Sequence, residues 1–251
     1  MNIRGLYPMR NRTKVAYLKD LAAESNAPFI ALTETHLSAN VYSAEVEIPG
    51  YTLYRSDRSG GRTHGGCATY CREDLTVIER ASHSNNFCES QVLEVKELEL
   101  ILINIYRPPK SPKETFKETL EKCQESIDEV MDKLENKSRT LLALGDYNFP
   151  FIKWPSRRIY TRDEEPDHMD SEKEQAKLLM EWTDHNFMEQ TITTPTRKNN
   201  ILDLVFTNSE NLLNGYSMII NCNFSDYNIL RISLNYSYKN EKETKRESLS
   251  Q

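Results

Sequence analysis

The order of hydrophobic and polar positions along the chain predicts short strands with helices placed between them. Residues 12–26 are expected to form a helix, because apolar residues recur there at helical spacing and Pro28 follows just beyond. Residues 28–34 (PFIALTE) form a nearly continuous apolar run, which is typical of a strand buried on both faces. Further strands, rich in β-branched and aromatic residues, are predicted at 51–55, 67–72, 75–79, 91–95, 99–107, 139–148, 201–208, 217–223 and 229–236.

Two more helices are predicted from the residues that begin them. Residues 111–114 (SPKE) form a capping box with proline in the first turn, and an apolar stripe in steps of three and four continues to residue 134. Ser171 with Glu174 forms a second capping box, and the helix that it begins is expected to end at about residue 186.

These elements together predict an α/β (α+β) fold, a two-layer β-sandwich flanked by helices. The sequence contains no internal repeat and no linker, so one domain is expected over residues 1–237. Residues 238–251 are charged and nearly free of apolar side chains, which predicts a disordered tail.

Composition narrows the class of protein. The 251-residue chain has a net charge of −6, which argues mildly against passive DNA coating but not against an enzyme that binds DNA briefly. No stretch approaches the ~18 apolar residues of a membrane span, and the first residues lack the apolar core of a signal peptide. The five cysteines are odd in number and lack zinc-site or redox spacing, so we expect reduced thiols. We therefore expect an intracellular protein of the nucleus or cytoplasm, without a membrane partner, and a monomer.

Oxygen-bearing side chains stand at or just beyond the ends of several predicted strands. They are Glu34, Asp146, Asn148 and Asp226. Strand ends are where a rigid scaffold can hold side chains that face a cleft. The set offers only oxygen to a metal, which suits Mg²⁺ or Mn²⁺ better than zinc. Each residue alone is more often a turn former, a helix cap or a solvated side chain, but their order as a set indicates a metal site.

Three other groups of residues have both a functional and a structural interpretation. Asp203 lies within an apolar strand, where an unpaired carboxylate is costly, so we expect it to have a partner. Tyr106, just before two prolines, is a catalytic candidate or simply a packing aromatic. The loops at 57–66 and 192–200 hold side chains that could reach phosphate, although basic residues in loops more often simply face solvent. These side chains are Arg58, Arg62, Arg197 and Lys198.

Six short motifs occur in the order found in the endonuclease/exonuclease/phosphatase superfamily. They are NIRGL (2–6), LTETHL (32–37), NIYRPP (104–109), LGDYN (144–148), ILDLVFTN (201–208) and SDY (225–227). The resemblance extends to about residue 236. The versions TETHL, YRPP, GDYN followed by Trp154, and LDLVFTN are most similar to endonucleases of non-LTR retrotransposons, LINE elements of the jockey or CR1 type. The resemblance implies a metal-dependent hydrolase that nicks double-stranded target DNA and was once fused to a reverse transcriptase.

The resemblance also implies roles around a metal centre. Glu34 would be the principal ligand of Mg²⁺ or Mn²⁺, and Asp146 and Asp226 would be the other carboxylates there. Asp146 would also activate or orient the attacking water. Asn2 would hold that aspartate or the phosphate, and Asn148 would hold phosphate or water beside it.

The remaining roles concern the phosphate. Tyr106 would lie near the scissile phosphate, and Asp203 would orient a histidine that contacts it. His36, close to Glu34, is expected to be part of the scaffold or the surface rather than that histidine.

The chain departs from the family pattern in two places. The family's closing motif is Ser-Asp-His, whereas this chain has Ser225-Asp226-Tyr227. A neutral phenol thus replaces an imidazole that can be charged near neutral pH, and losing a placed donor to transition-state charge can reduce the rate by ~10²–10³. In addition, Asn2 normally follows a full strand, so the first strand is expected to be truncated here.

Three hypotheses remain open. The first is an active Mg²⁺-dependent endonuclease that nicks one strand of double-stranded DNA to prime reverse transcription. The second is a catalytically dead retroelement remnant with only weak DNA binding. The third is a phosphomonoesterase or phospholipase of the same fold, from which YRPP and LDLVFTN point away.

Overall fold

The computed structural model describes residues 1–6, 13–60, 64–133, 139–154, 156–160, 169–219 and 228–235. The helices in this part of the chain are α1 (Thr13–Ser25), α2 (Lys113–Asp132) and α3 (Met169–His185). The strands are β1 (Phe29–Thr33), β2 (Tyr51–Ser56), β3 (Cys67–Arg72), β4 (Val77–Ser84), β5 (Glu89–Val95), β6 (Leu100–Tyr106), β7 (Thr140–Asp146), β8 (Ile152–Lys153), β9 (Arg158–Ile159), β10 (Glu189–Gln190), β11 (Asp203–Thr207), β12 (Leu213–Ile219) and β13 (Ile229–Leu234).

The strands form two main sheets. The smaller sheet has the order β1-β3-β2, and the larger has the order β10-β11-β7-β6-β5-β4. Every pair of neighbours is antiparallel except β6 and β7, which run parallel. A parallel pair needs a crossover connection, and α2 supplies it. Two-stranded pairs β8-β9 and β12-β13 complete the described strands.

Side chains of β6 alternate between the two faces of the larger sheet, because successive residues of a strand point in opposite directions. Ile101, Ile103 and Ile105 share a buried cluster with apolar residues of α2 and α3. Leu100 and Leu102 share another with residues of the smaller sheet. α1 packs on the far face of the smaller sheet. The predicted two-layer β-sandwich flanked by helices is therefore confirmed.

A buried amide joins the two sheets near the middle of the sandwich. Asn104 Nδ2 on β6 donates hydrogen bonds to Leu32 O (3.1 Å), Ala68 O (3.3 Å) and Thr69 Oγ1 (3.2 Å) of the smaller sheet. Thr69 Oγ1 in turn donates to Gln91 Oε1 on β5 at 2.9 Å. These contacts fix how the strand ends of one sheet face those of the other.

The amino-terminal residues add only a fragment of a strand to β1. Ile3 N donates to Thr33 O at 2.9 Å and Thr33 N donates to Met1 O at 3.0 Å, which makes one parallel bridge between Asn2 and Thr33. This single bridge is the pairing that residues 1–6 make with β1. Beside it, between β1 and β13, lies an apolar groove of about 150 Å³ whose lining includes Phe29, Ala31, Leu144, Ile229 and Ile232.

Both predicted capping boxes are wrong. α2 is preceded at its N-cap by Pro112, which has no side-chain cap hydrogen bond. Ser111 Oγ instead donates to Gln175 Oε1 of α3 at 2.9 Å, so a tertiary partner has taken the hydroxyl. Ser171 lies inside α3, which is already helical at Met169. Glu174 forms ion pairs with lysines at 3.3 and 2.9 Å rather than bonding back to a cap.

Other boundaries shift by a few residues. β4 begins at Val77 and continues to Ser84, beyond the predicted 75–79. β12 begins at Leu213, four residues before the predicted start. Among the cysteines, Cys67, Cys71, Cys88 and Cys123 are free and buried. None of the described helices has the length and apolar character needed to cross a membrane. The predicted tail, residues 238–251, lies outside the described residues.

Candidate active site

Three predicted site residues form a row across the larger sheet. Tyr106 at the end of β6 is paired with Asp146 at the end of the parallel strand β7. Asp146 is paired on its other side with Asp203, the first residue of the antiparallel strand β11. Directly paired residues in a sheet project to the same face, so the three side chains share one edge of the sandwich. Glu34 follows β1 in the facing sheet and completes the group.

Asp146 is held by two of the other predicted residues. Asn2 Nδ2 donates to Asp146 Oδ2 at 2.7 Å, and Asn148 N donates to Asp146 Oδ1 at 3.2 Å. Both Asn2 and Asp146 are fully buried. Asn2 Oδ1 accepts from Arg4 N at 3.2 Å, which orients the amide so that its N–H faces the carboxylate. Asp146 is thus fixed in position before any ligand binds.

Glu34 is a charged carboxylate at neutral pH. Tyr106 Oη donates to Glu34 Oε1 at 2.9 Å, and His36 Nε2 lies 3.8 Å from Glu34 Oε2. Burial alone would raise the pKa of Glu34, but polar interactions with His36, Asn2 and Tyr106 outweigh it and lower the pKa to about 2. Burial, together with the charges of Glu34 and Asp146, raises the pKa of Tyr106 far above its usual value, so the phenol stays a neutral donor.

Three non-glycine residues at the site have left-handed backbone. The φ angle is 53° at Glu34, 54° at His36 and 53° at Asn148. Asparagine and histidine tolerate this region, whereas glutamate adopts it less often. Such backbone persists only where the surroundings impose it, and it concentrates at functional sites.

Asp203 is buried, and neither of its carboxylate oxygens has a hydrogen-bond partner in the part of the chain that the structure describes. Burial raises its pKa. Thr196 Oγ1 accepts from Leu202 N and Asp203 N, both at 3.0 Å, and so fixes the backbone at the start of β11. The Met1 ammonium and the Thr196 hydroxyl lower the pKa of Asp203, but burial outweighs them. Asp226 and Tyr227 lie outside them.

The loop arginine Arg58 does not extend toward solvent as the sequence suggested. Its side chain is nearly buried and pairs with Glu89, with Nε 2.6 Å from Oε1. The guanidinium carbon lies 5.5 Å from the centre of the Tyr106 ring. Of the other cationic candidates, Arg197 is half-buried and Lys198 is exposed, while Arg62 lies outside the described residues.

Sequence reasoning missed three residues near the site. His36 contacts Glu34 although it was expected to be scaffold or surface, and only its spacing of two residues from Glu34 hinted at this. Glu89 is paired in register with Tyr106, which no local pattern indicates. Arg107 is fully buried behind the turn that follows Asp146. Arg107 directly follows Tyr106 in the sequence, but arginine is rarely buried without a partner. Its partner, Glu172, is distant in sequence and could not be identified from the local pattern.

The residues at this edge fit a hard divalent cation. The described residues contain no group of three or more His, Cys, Asp or Glu side chains that could hold a metal. Mg²⁺ needs fewer, because it is commonly held by one or two carboxylates together with water and substrate phosphate. Glu34 offers a charged, half-buried carboxylate, and Asp146 is the next carboxylate in the group. The donors are oxygen, as such an ion requires.

Comparison with solved structures finds the same fold in several hydrolases. The endonuclease domain of TRAS1, a telomere-specific non-LTR retrotransposon, is 19% identical with a TM-score of 0.58 over 94% of this chain and 97% of that one. The AP endonuclease LMAP from Leishmania major is 11% identical with a TM-score of 0.66 over 94% and 86%. The 3′ phosphatase NExo from Neisseria, bound to a product DNA hairpin, is 14% identical with a TM-score of 0.59 over 94% and 97%.

At these identities, structural similarity shows the fold alone. The comparison with curated protein sequences found no match. The decisive finding is a family model that matches residues 1–226, which is most of the chain and includes every predicted site residue except Tyr227. The chain therefore belongs to the Endonuclease/Exonuclease/phosphatase family.

Proposed function

We propose that the protein is a divalent-metal-dependent endonuclease that nicks double-stranded DNA, in the manner of a non-LTR retrotransposon endonuclease. The observation that carries the proposal is the fixed group of Asn2, Asp146, Tyr106 and Glu34, joined in pairs by buried or half-buried hydrogen bonds of 2.7 and 2.9 Å. Asp203 stands beside Asp146 in the same row. Such an arrangement suits phosphodiester hydrolysis, which needs an aligned water and fixed donors to growing charge.

In this proposal Asp146 orients the attacking water. Its two carboxylate oxygens accept hydrogen bonds from Asn2 and from the backbone of Asn148, so the carboxylate cannot rotate away. A carboxylate held in this way acts without reorganising when the water attacks. The Asn148 side chain uses one N–H for Arg107 O at 2.9 Å, and its amide oxygen and second N–H would meet water or phosphate.

Glu34 would hold the divalent ion, with Asp146 and Asp226 nearby. When bound, Mg²⁺ or Mn²⁺ would neutralise phosphate charge and stabilise the leaving oxygen. Tyr106 would keep one carboxylate oxygen of Glu34 fixed through its single O–H and would lie near the phosphate. Because its pKa is raised, Tyr106 would act as a donor and not as an anion.

The residue at position 227 determines how fast the natural chain nicks DNA. The chain has a tyrosine where the family has a histidine, and we predict that the missing cationic donor lowers the nicking rate by ~10²–10³. The test is relaxation of supercoiled plasmid in Mg²⁺ by wild type, by Tyr227→His, and by Tyr227→His combined with Glu34→Ala. We expect Tyr227→His to nick and the double variant not to. If none of the three nicks in Mg²⁺ or Mn²⁺, the endonuclease proposal is wrong.

A catalytically dead remnant is the second candidate, and one observation favours it. The family resemblance gives Asp203 the role of orienting a histidine, and this chain has Tyr227 at the place of that histidine. Nicking by Tyr227→His but not by wild type would support the remnant. Nicking by wild type that is abolished in Glu34→Ala would exclude it. Release of phosphate from a 3′-phosphorylated DNA hairpin without nicking would instead favour a phosphatase.

A further inference from the structure

Arg107 is a fully buried cation directly behind the candidate site. Its guanidinium uses all three nitrogens. Nε donates to Gln175 Oε1 at 2.8 Å, and Nη2 donates to Glu172 Oε2 at 2.5 Å. Nη1 donates to Tyr147 O at 3.0 Å and to Asn148 O at 3.3 Å. The guanidinium thus joins the first turns of α3 to the turn that follows Asp146.

The main chain of Arg107 contacts the same turn. Arg107 N donates to Asp146 O at 2.9 Å, and Arg107 O accepts from Asn148 Nδ2 at 2.9 Å. Residues 146–148 are therefore held by both the side chain and the backbone of one residue. Asn148 has left-handed backbone there, with a φ of 53°. The contacts with Arg107 hold Asn148 in this conformation.

The surroundings of Arg107 leave it few alternative positions. The guanidinium carbon lies 4.0 Å from the centre of the Phe149 ring, which covers its planar face. Glu172 Oε1 is already used by Lys110 N at 2.6 Å, so the carboxylate is also fixed. A buried ion pair adds little net stability compared with well-packed apolar residues, because desolvation offsets its attraction. An apolar side chain here, however, could not bind the Tyr147 and Asn148 carbonyls.

We propose that Arg107 is a positioning residue, which with Glu172 holds the 146–148 turn so that Asp146 and Asn148 meet water and phosphate in the correct geometry. The effect on rate rests on the proposed function. The effect on the turn does not, because it concerns only the geometry of residues 146–148. A purely structural role would affect folding stability without a selective effect on the chemical step.

Arg107→Lys is the test variant, because lysine keeps the charge but loses the planar fork that reaches four partners. Arg139→Lys is the matched control. Arg139 is also nearly buried and pairs with Glu94 at 3.4 Å and Glu99 at 3.2 Å, but it precedes β7 at the end opposite Asp146. Both variants are made in whichever background nicks DNA, wild type or Tyr227→His.

We expect Arg107→Lys to lower kcat by about 10- to 100-fold, with a change in KM for DNA of less than about threefold, because small misplacement of catalytic groups acts on the chemical step. Arg139→Lys should lower the melting temperature without this loss of kcat. Glu172→Gln keeps the shape of the side chain and should give a smaller fall in kcat. It replaces Arg107→Lys as the test variant if Arg107→Lys does not fold. Equal kcat values in the Arg107, Glu172 and Arg139 variants would overturn the proposal.

Hydrogen exchange separates this proposal from the proposed function. Tyr147 N donates to Leu202 O at 3.0 Å, and Asn148 N donates to Asp146 Oδ1. Exchange at these two amides should be faster in Arg107→Lys than in Arg139→Lys, whether or not any variant nicks DNA. If exchange there is unchanged, Arg107 does not hold the turn. If exchange rises but no variant nicks, the positioning role stands and the endonuclease proposal is the one that fails.

Discussion

At the scale of the residue, the candidate site is defined by side chains whose partners leave them little freedom. Glu34 has left-handed backbone and a pKa of about 2, although it lies in a half-buried position that would normally raise the pKa. The Tyr106 phenol at 2.9 Å contributes to keeping this carboxylate charged. A charged group prepared in this way is suited to a cation, and its charge also affects folding.

The pKa of Glu34 predicts how stability depends on pH without metal. Its usual value is 4.5 and its folded value is about 2, so the carboxylate stabilises the fold above about pH 4.5 and loses this contribution as pH falls toward 2. In chelator, the free energy of unfolding of wild type should exceed that of Glu34→Gln by about 2–3 kcal/mol near neutral pH. Urea denaturation at several pH values should show the difference shrinking between pH 4.5 and 2. A constant difference would contradict the prediction.

At the scale of the element, the loop before β3 is fixed from both sides. Gly66 N donates to Glu89 Oε2 at 2.9 Å, while Gly66 O accepts from Thr35 N at 3.2 Å, next to Glu34. A Cβ at Gly66 would lie 2.6 Å from Thr35 Oγ1, and the φ of +89° already disfavours any side chain. Gly66 therefore connects the buried Arg58–Glu89 pair to Thr35, the neighbour of the candidate metal ligand Glu34.

Gly66→Ala and Gly50→Ala separate backbone strain from the close contact. Gly50 has a similar φ of +79°, but a Cβ there would meet nothing within 4 Å. Each variant should lose about 1 kcal/mol of unfolding free energy from the left-handed backbone. Gly66→Ala should lose more than Gly50→Ala and should also weaken Mn²⁺ binding measured by calorimetry. Equal losses in both variants would mean that the loop adjusts and that Thr35 does not transmit the change.

At the scale of the whole molecule, much of the architecture follows from sequence because the central strands β1, β6, β7 and β11 are largely apolar. The strand-end carboxylates were found for the same reason, since each stands where an apolar run stops. Glu89 and Arg107 were missed because their roles arise from cross-strand register and from α3, far away in sequence. The first capping box failed because the Ser111 hydroxyl met Gln175, a partner that only the folded chain supplies, and the second failed because α3 is already helical at Met169.

The link between the sheets gives a prediction at this scale. Asn104→Leu removes the amide that binds Leu32 O, Ala68 O and Thr69 Oγ1, and leaves these buried acceptors without their donor. We expect a loss of about 1–3 kcal/mol in the free energy of unfolding, measured by urea denaturation. Asn208→Ala is a useful comparison, because its Oδ1 accepts a single bond from Leu141 N at 2.8 Å. A smaller loss for Asn104→Leu than for Asn208→Ala would contradict the inferred link.

The amino terminus has a practical consequence for purification. The Met1 ammonium donates to Ala31 O at 3.0 Å, and the residues after it continue along β1 beside the apolar groove. A polyhistidine tag fused at this end would replace that ammonium with a peptide bond and bring polar, metal-chelating side chains next to Phe29 and Ala31. Preparations tagged there would confound any titration with Mn²⁺. A cleavable tag at the carboxyl end avoids both effects.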